Sequence, residues 1–438
     1  MRRIDRWAGV PICFLLTLWR RVFEPSNPRA AGPSNLLFIQ TAEMGSLVLA
    51  LPAVRLAREA YPGATVYFLV FANLAESVAT IGLTSPDRVF TIDSSSLFSI
   101  ARDTWRFIRA ARRRRIDTVV NLEMFARFGA ILTFLSGAGR RAGFHAYDHP
   151  GLYCGDLLTH RVIYNPHVHT AEALITIVRS LEEPADHVPM GKLPRTAAGK
   201  LKSADTGIRA GRVTTDEATR QRILEQLARE RPAVAGKRLI VINPNASQLI
   251  PIRRWPLESY AELVARLVAD PDNACVLTGT AAEQLDTRFI ADRVRSDRIV
   301  DLAGKTSVKD LLDLYNVADL LVTNDSGPAQ LAALTDVNIL VFFGPETPAL
   351  YRPIADPERC HVLYSHYACS PCVTAFNQRR TECTDNVCLK SIGVPAVHGI
   401  ATAILERRRS STTGTTGTTG TSGDRNALTR VSLSGFEE

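Results

Sequence analysis

The segment Leu320–Pro353, LLVTNDSGPAQLAALTDVNILVFFGPETPALYRP, constrains the fold of this chain more than any other. Leu320, Leu321 and Val322 read as a buried strand that stops at Asn324-Asp325-Ser326-Gly327. A helical pattern begins at Pro328, and a second strand, Ile339–Phe343, ends at Gly344-Pro345. Such a βαβ unit places its strands parallel, with the helix crossing over the sheet. The turn sets Ser326 and Gly327 at a helix N-terminus, where unpaired N–H groups and the helix dipole favour an anion. Pro328 costs little there, because its missing N–H would be unpaired anyway. One reading is a phosphate-bearing ligand held beside the Asp325 carboxylate. The other is an ordinary strand-to-helix turn with Asp325 and Ser326 as caps.

The same alternation runs through most of the chain. Leu36–Gln40, Thr65–Phe71, Arg88–Ile92 and Thr118–Leu122 read as strands, with helical stretches at Leu47–Ala60, Leu74–Ile81 and Leu97–Ala111 between them. A second set holds Arg238–Asn243, Ala274–Thr278, Ile299–Leu302, Leu320–Thr323 and Ile339–Phe343. This order predicts two parallel, doubly wound sheets. The expected units are residues 35–200 and 237–408, joined by a helical connector at 201–236. Residues 409–438 are expected to form a disordered tail, since STTGTTGTTGTSG cannot bury a core. With 438 residues, 46% of them hydrophobic, the chain can fill two cores. The net charge of +8 suits phosphate-bearing substrates or an anionic membrane. Nucleic acid is the weaker partner, for no recognition motif is present. No GxGxxG follows the first strand, which argues against a dinucleotide-binding domain.

Three segments in order, Leu36–Pro62, Asn243–Leu263 and the NDSGP…FFGPETPALYRP stretch, resemble glycosyltransferase family 9, the heptosyltransferases of lipopolysaccharide cores. The similarity covers most of Leu36–Ile392. It implies a GT-B fold, with two Rossmann-like domains facing a cleft, and an inverting transfer from a nucleotide-diphosphate sugar, by default ADP-heptose. The implied acceptor is a lipid-linked or core oligosaccharide. In the donor half the resemblance assigns Arg253, next to Arg254, to the leaving diphosphate, and Glu283 to the nucleoside ribose. Asp325, Ser326 and Gly327 match the donor sugar and diphosphate contacts. Gln330 stands where the family often has histidine, so hydrogen bonding is kept and a positive charge is lost. Asn245 and Ser247 are further candidate phosphate contacts. In the acceptor half the family carries an Asp base where this chain has Ser46. Glu43 is the one carboxylate in that loop and becomes the expected base; Ser46 also reads as a helix cap. No cofactor is required for transfer.

Other features carry less. Ala8–Leu18 is apolar and flanked by Trp7, Trp19 and five arginines. It is too short to span a bilayer, and suits a helix lying on the anionic cytoplasmic face of the inner membrane. A secretory signal, or a helix packed on the protein itself, is the alternative for this residue 1–34 region. Cys369, Cys372, Cys383 and Cys388 have spacings that suit structural zinc, or disulfides in an oxidising compartment. Asp270-Pro271-Asp272 reads as a turn rather than a metal motif. His167 and His169 read as loop histidines that could still face the acceptor. A non-catalytic sugar-binding protein of the same fold is the rival reading, supported by the missing Asp at Ser46.

Overall fold

The computed structural model describes residues 5, 7–24, 32–41, 43–145, 152–185, 208–246 and 250–412. The expected contact Ser247, residues 201–207 of the inter-domain connector and residues 413–438 lie outside them.

After helix α1 (Gly9–Phe23), the first half runs β1 (Asn35–Ile39), α2 (Met44–Ala60), β2 (Thr65–Phe71), α3 (Ala75–Thr80), β3 (Val89–Ile92), α4 (Leu97–Arg113), β4 (Thr118–Asn121), α5 (Arg127–Leu135), β5 (Arg140–His145), β6 (His160–Ile163) and α6 (Thr170–Arg179). The second runs α7 (Glu217–Glu230), β7 (Arg238–Asn243), α8 (Leu257–Ala269), β8 (Asn273–Leu277), α9 (Gln284–Val294), β9 (Ile299–Asp301), α10 (Val308–Val317), β10 (Leu320–Asn324), α11 (Gly327–Ala332), β11 (Asn338–Phe343), α12 (Pro348–Tyr351), β12 (Cys360–Tyr364), α13 (Val387–Lys390) and α14 (Val394–Thr412).

Both sheets are parallel and six-stranded, in the orders β3-β2-β1-β4-β5-β6 and β12-β11-β10-β7-β8-β9. Counted from the first strand of each half, both follow the doubly wound order 3-2-1-4-5-6. Strands covered by helices on both faces must be apolar on both sides. Accordingly Leu36, Leu37, Phe38 and Ile39 are all fully buried. Phe38 stacks on its register partner Phe68 with ring centroids 5.3 Å apart. In this topology the strand order reverses between β1 and β4 and between β7 and β10, and a crevice opens at the carboxyl ends of those pairs. The two crevices hold the candidate site.

Several elements were not anticipated. β5, α5, β6 and β12 have short or mixed patterns such as RRAGFH and HRVI, which local periodicity does not resolve. Helix α14 continues through Thr412, so the helix extends past the expected tail boundary at 409; an established helix propagates into residues that would not nucleate one. Helix α1 is not a free appendage. Cys13 and Thr17 face α5 and the 153–157 loop, and Arg20 pairs with Asp156 at 3.1 Å. Glu24 accepts hydrogen bonds from the buried Arg141 at 2.7 and 2.5 Å. Pro11 sits in its first turn, where a missing N–H is tolerated.

Candidate functional site

The second-half crevice is built by a latch. Asn324 ends β10 and is fully buried. Its Oδ1 accepts from the Trp255 N–H at 2.8 Å, and its Nδ2 donates to the Pro244 and Asn245 carbonyls, each at 3.0 Å. From the other side, Asn386 Nδ2 donates to the Ile252 and Arg254 carbonyls, each at 2.8 Å. Trp255 anchors the loop in the core by stacking on Phe342 at 4.6 Å. The backbone between these ties is fixed, and it aims Arg253 into the crevice.

Arg253 is 4% exposed. Its guanidinium lies 3.6 Å from the Glu43 carboxylate, 3.7 Å from Asp325 and 3.8 Å from Glu346. These separations give attraction but exceed hydrogen-bond length. Nε and Nη2 of Arg253 are buried with no hydrogen-bond partner. Asp325 Oδ2, Glu346 Oε1, Gln330 Oε1 and Asn245 Oδ1 are likewise unpartnered. A native interior rarely leaves such groups unmade, because each costs about 1–3 kcal/mol. Arg379 completes the cluster, 3.6 Å from Glu346 and with its guanidinium carbon 5.2 Å from the Tyr351 ring centroid.

The electrostatics follow from burial. Burial pushes the Asp325 carboxyl up and Glu346 adds to it; Arg253 and Arg379 pull it back, and the net is about 8. Burial works against the charges of Arg253 and Arg379, but the surrounding carboxylates, joined at Arg379 by Tyr351, outweigh it and both stay protonated. Two guanidinium groups therefore face three carboxyl groups, with a proton on Asp325 at neutral pH.

The remaining expected residues fall around this cluster. Glu43 is the N-cap residue of α2 and is a quarter exposed; its side chain makes no capping bond. Ser46 lies one turn inside α2, so it is not the helix cap that the sequence suggested. Gly45 comes within van der Waals reach of α11: an added Cβ would lie 3.1 Å from Gln330 and 3.4 Å from Gly327. The acceptor-half loop thus closes directly onto the Ser326-Gly327 turn. Ser326 caps α11 only through its backbone, its Oγ going to the Asn324 carbonyl at 3.1 Å. Helix α11 has only six residues, so its dipole is smaller than the sequence implied. Gln330 donates to the Tyr351 carbonyl at 2.7 Å. Glu283 stands after β8 beside Gly279 and Asn245, where its carboxylate accepts from the Thr280 N–H at 2.7 Å. Arg254 turns away to an ion pair with Asp286 at 2.9 Å. Of the two adjacent arginines, only Arg253 enters the cluster.

His169 is buried and fully engaged within the protein. Its Nε2–H donates to the Arg352 carbonyl at 2.9 Å, tying the two halves together, and burial lowers its pKa. Asp270 accepts from the Asp272 N–H at 2.9 Å and pairs with Arg238, as a turn residue would. All four clustered cysteines are free thiols. Burial and the neighbouring Cys372, Cys369 and Cys383 push Cys388 up to about 11. Among the described residues, no group of three or more His, Cys, Asp or Glu is arranged to hold a metal ion.

Sequence reasoning missed Glu346, Arg379 and Glu123. Glu346 was discoverable as a lone carboxylate at the end of an apolar strand, inside Gly-Pro-Glu-Thr-Pro. Arg379 lies in an irregular loop with positive φ at Gln378 and Arg379, where no local pattern marks it. Glu123, 8% exposed, follows β4 and accepts hydrogen bonds from the Thr41 N–H and, at 3.0 Å, its hydroxyl.

The comparisons bear on the fold and the family. Solved structures of the same shape include Escherichia coli ADP-heptose lipopolysaccharide heptosyltransferase II, with TM-score 0.62 and 17% identity, covering 86% of this chain and 99% of that one. Escherichia coli heptosyltransferase WaaC with ADP matches with TM-score 0.56 and 17% identity, over 84% and 99%. At that identity they show the fold, which is GT-B. Among curated proteins, lipooligosaccharide heptosyltransferase 2 of Campylobacter jejuni is 26% identical over 158 residues, 36% of this chain and 48% of that protein. Lipopolysaccharide heptosyltransferase 2 of Salmonella typhimurium is 31% identical over 144 residues, 32% and 39%. The aligned stretch thus spans less than half the length of these relatives. The profile of glycosyltransferase family 9 (heptosyltransferase) matches residues 104–381, more than half of the chain, and the chain belongs to that family.

Proposed function

We propose that the chain is an inverting glycosyltransferase. It moves a sugar, heptose by family default, from a nucleotide-diphosphate donor to a hydroxyl of a lipopolysaccharide-core or related lipid-linked saccharide. One observation carries this reading: a buried arginine with unused N–H donors, ringed by buried oxygens with unused acceptor capacity. Unused donors on a guanidinium suit diphosphate oxygens. Unused carboxyl and amide oxygens suit the hydroxyls of a sugar and a ribose. The names of the relatives supply the sugar class.

In the proposed step the acceptor oxygen attacks the anomeric carbon from the Glu43 side. The bond from that carbon to the diphosphate oxygen breaks, and its electron pair leaves with the diphosphate. Arg253 and Arg379 meet the charge that builds there, which lowers the barrier more than it stabilises bound substrate. Glu43 takes the proton of the attacking hydroxyl. Two arginines can supply this neutralisation without a metal, so transfer should persist in a chelator. The thiols of Cys369, Cys372, Cys383 and Cys388 are not gathered into a metal-holding group in this structure, so zinc there would require the loop that carries Arg379 to rearrange. Metal analysis of the purified chain tests that separate proposal: one zinc per chain supports it, and none removes it.

The proposed acceptor class supports a site of action at the cytoplasmic face of the inner membrane. No helix among the described residues is long and apolar enough to cross a bilayer, so the proposed attachment is peripheral. A binding-only role is the second reading, favoured by Ser46 at the family's Asp position. A screen of nucleotide sugars by thermal stabilisation tests donor binding, since a ligand of the folded state alone must raise its stability. Absence of a shift with every nucleotide sugar would remove both readings.

A further inference from the structure

Helices α4, α5 and α1 lie side by side on one face of the first sheet, with α5 in the middle. Their inner sides build the core; their outer sides are unusual. On α1, Phe14, Leu15, Leu18, Trp19, Val22 and Phe23 are between 49% and 69% exposed. On α4, Leu97, Phe98 and Trp105 are 63%, 75% and 57% exposed. Between them α5 shows Phe128, Ile131 and Leu135, each partly exposed. Contiguous apolar surface of this extent marks an interaction site rather than scattered surface residues.

The charge on this face has one sign. The three helices contain a single acidic residue, Asp103, and it is buried. Arg21, Arg102, Arg106, Arg109, Arg112 and Arg113 are exposed. On α4 the apolar and cationic groups share one stripe, since Phe98, Arg102, Trp105, Arg109 and Arg113 recur every three to four residues. Arg109 lies over the Trp105 ring at 4.6 Å. Aromatic and aliphatic groups mixed with arginines, with no exposed acid, complement an anionic lipid surface. A second copy of this chain would bring like charges together, which opposes self-association through this face.

We propose that α1, α5 and α4 together form one bilayer-docking face, with α4 a second anchor beside the N-terminal helix. The face also has a direction. Leu97 and Phe98 follow the carboxyl end of β3, and Phe128 follows that of β4. Glu43, after β1, and Glu123, after β4, leave the same carboxyl edge of this parallel sheet. Docking would lay the mouth of the acceptor half against the lipid. That use rests on the lipid-linked acceptor proposed above; the docking itself does not.

The test is flotation of the full-length chain with vesicles of phosphatidylcholine alone or mixed with phosphatidylglycerol. Two double variants accompany it: Phe98→Glu with Trp105→Glu on α4, and Leu18→Glu with Val22→Glu on α1. All four side chains are about half exposed or more, so melting temperatures should stay near that of the parent. The expected result is salt-sensitive binding to anionic vesicles only, reduced about tenfold or more by either pair of changes. Parental binding by the α4 variant would overturn the shared face. Failure of the parent to bind anionic vesicles at low salt would overturn docking altogether, as would a dimer in light scattering that either variant dissolves. Vesicle binding in a chain that turns over no nucleotide sugar would leave the docking face standing and sink the transferase reading instead.

Discussion

Replacing Arg253 with alanine separates binding from stability in a way that the cluster makes quantitative. The guanidinium faces carboxyl groups at 3.6, 3.7 and 3.8 Å and is 4% exposed. At these separations the attraction to each ionised carboxylate is about 4 kcal/mol at an effective dielectric near 20, before desolvation is subtracted. Removing one partner of a buried charge group costs about 3–5 kcal/mol net. Asp325 can lower that cost, because it already binds a proton up to about pH 8. Arg253→Ala should therefore lose less stability at pH 6 than at pH 8.5. The sign follows from proton count: without Arg253 the folded carboxyl cluster holds its protons to higher pH, while the unfolded chain has released them, so stability falls more steeply as pH rises. Donor affinity should drop in parallel. A charge-assisted contact is worth about 1.5–3 kcal/mol, or roughly ten- to a hundredfold in Kd. Calorimetric titration with a nucleotide sugar, alongside melts at both pH values, measures both effects. Arg253→Lys keeps the charge and covers the case in which the alanine variant does not fold. A folded Arg253→Ala protein with donor affinity within twofold of the parent would refute the assignment. A larger stability loss at pH 6 would refute the electrostatics.

Asp325→Asn should flatten the pH dependence of the ligand-free melt. The folded parent keeps a proton on Asp325 that the unfolded chain loses above about 4, so its contribution to stability declines between about pH 4 and 8; equal slopes in parent and variant would count against the buried carboxyl. Glu43→Gln should lower turnover by about a hundredfold or more with donor affinity nearly unchanged, and Ser46→Asp in that background should recover part of the rate; turnover within a few-fold of the parent would exclude Glu43 as base. Asn324→Ala should release the Arg253 loop, costing about 1–3 kcal/mol for each buried group left unpaired, and should weaken donor binding although Asn324 touches no donor; a melt within 0.5 kcal/mol of the parent would contradict the latch. Saturating chelator should leave transfer unaffected, and its loss would show that the two arginines are insufficient.

The fold was legible because it depends on period. Apolar runs such as LLFI and LIVI, bounded by turn residues, suit strands buried on both faces, and the amphipathic stretches between them suit crossover helices. The turn at Asp325 was legible for the same reason, since it lies between two such runs. The rest depended on distances in space. Nothing local distinguishes Arg253 from Arg254; the difference arises because Asn324 and Asn386 fix the backbone between them. Arg379 reaches the cluster from an irregular loop more than thirty residues beyond Glu346. The N-terminal helix was seen as an interfacial segment, but its buried side, and its place next to α5 and near α4, emerge only when the first sheet is assembled. Its union with Arg141 through Glu24 also means that deleting it would take the carboxylate from a buried arginine, so point changes on its outer face are the cleaner test.

The central claim is transfer, and acceptor-dependent release of nucleoside diphosphate tests it most directly. The purified chain is mixed with ADP-heptose, with and without a lipopolysaccharide-core acceptor, and release is followed for the parent and for Glu43→Gln. The account predicts release that requires the acceptor, falls about a hundredfold in the variant, and gives product inverted at the anomeric carbon. Donor binding by the parent, with release no faster in the presence of the acceptor and unchanged by Glu43→Gln, would contradict it and leave a sugar-binding protein of the same fold.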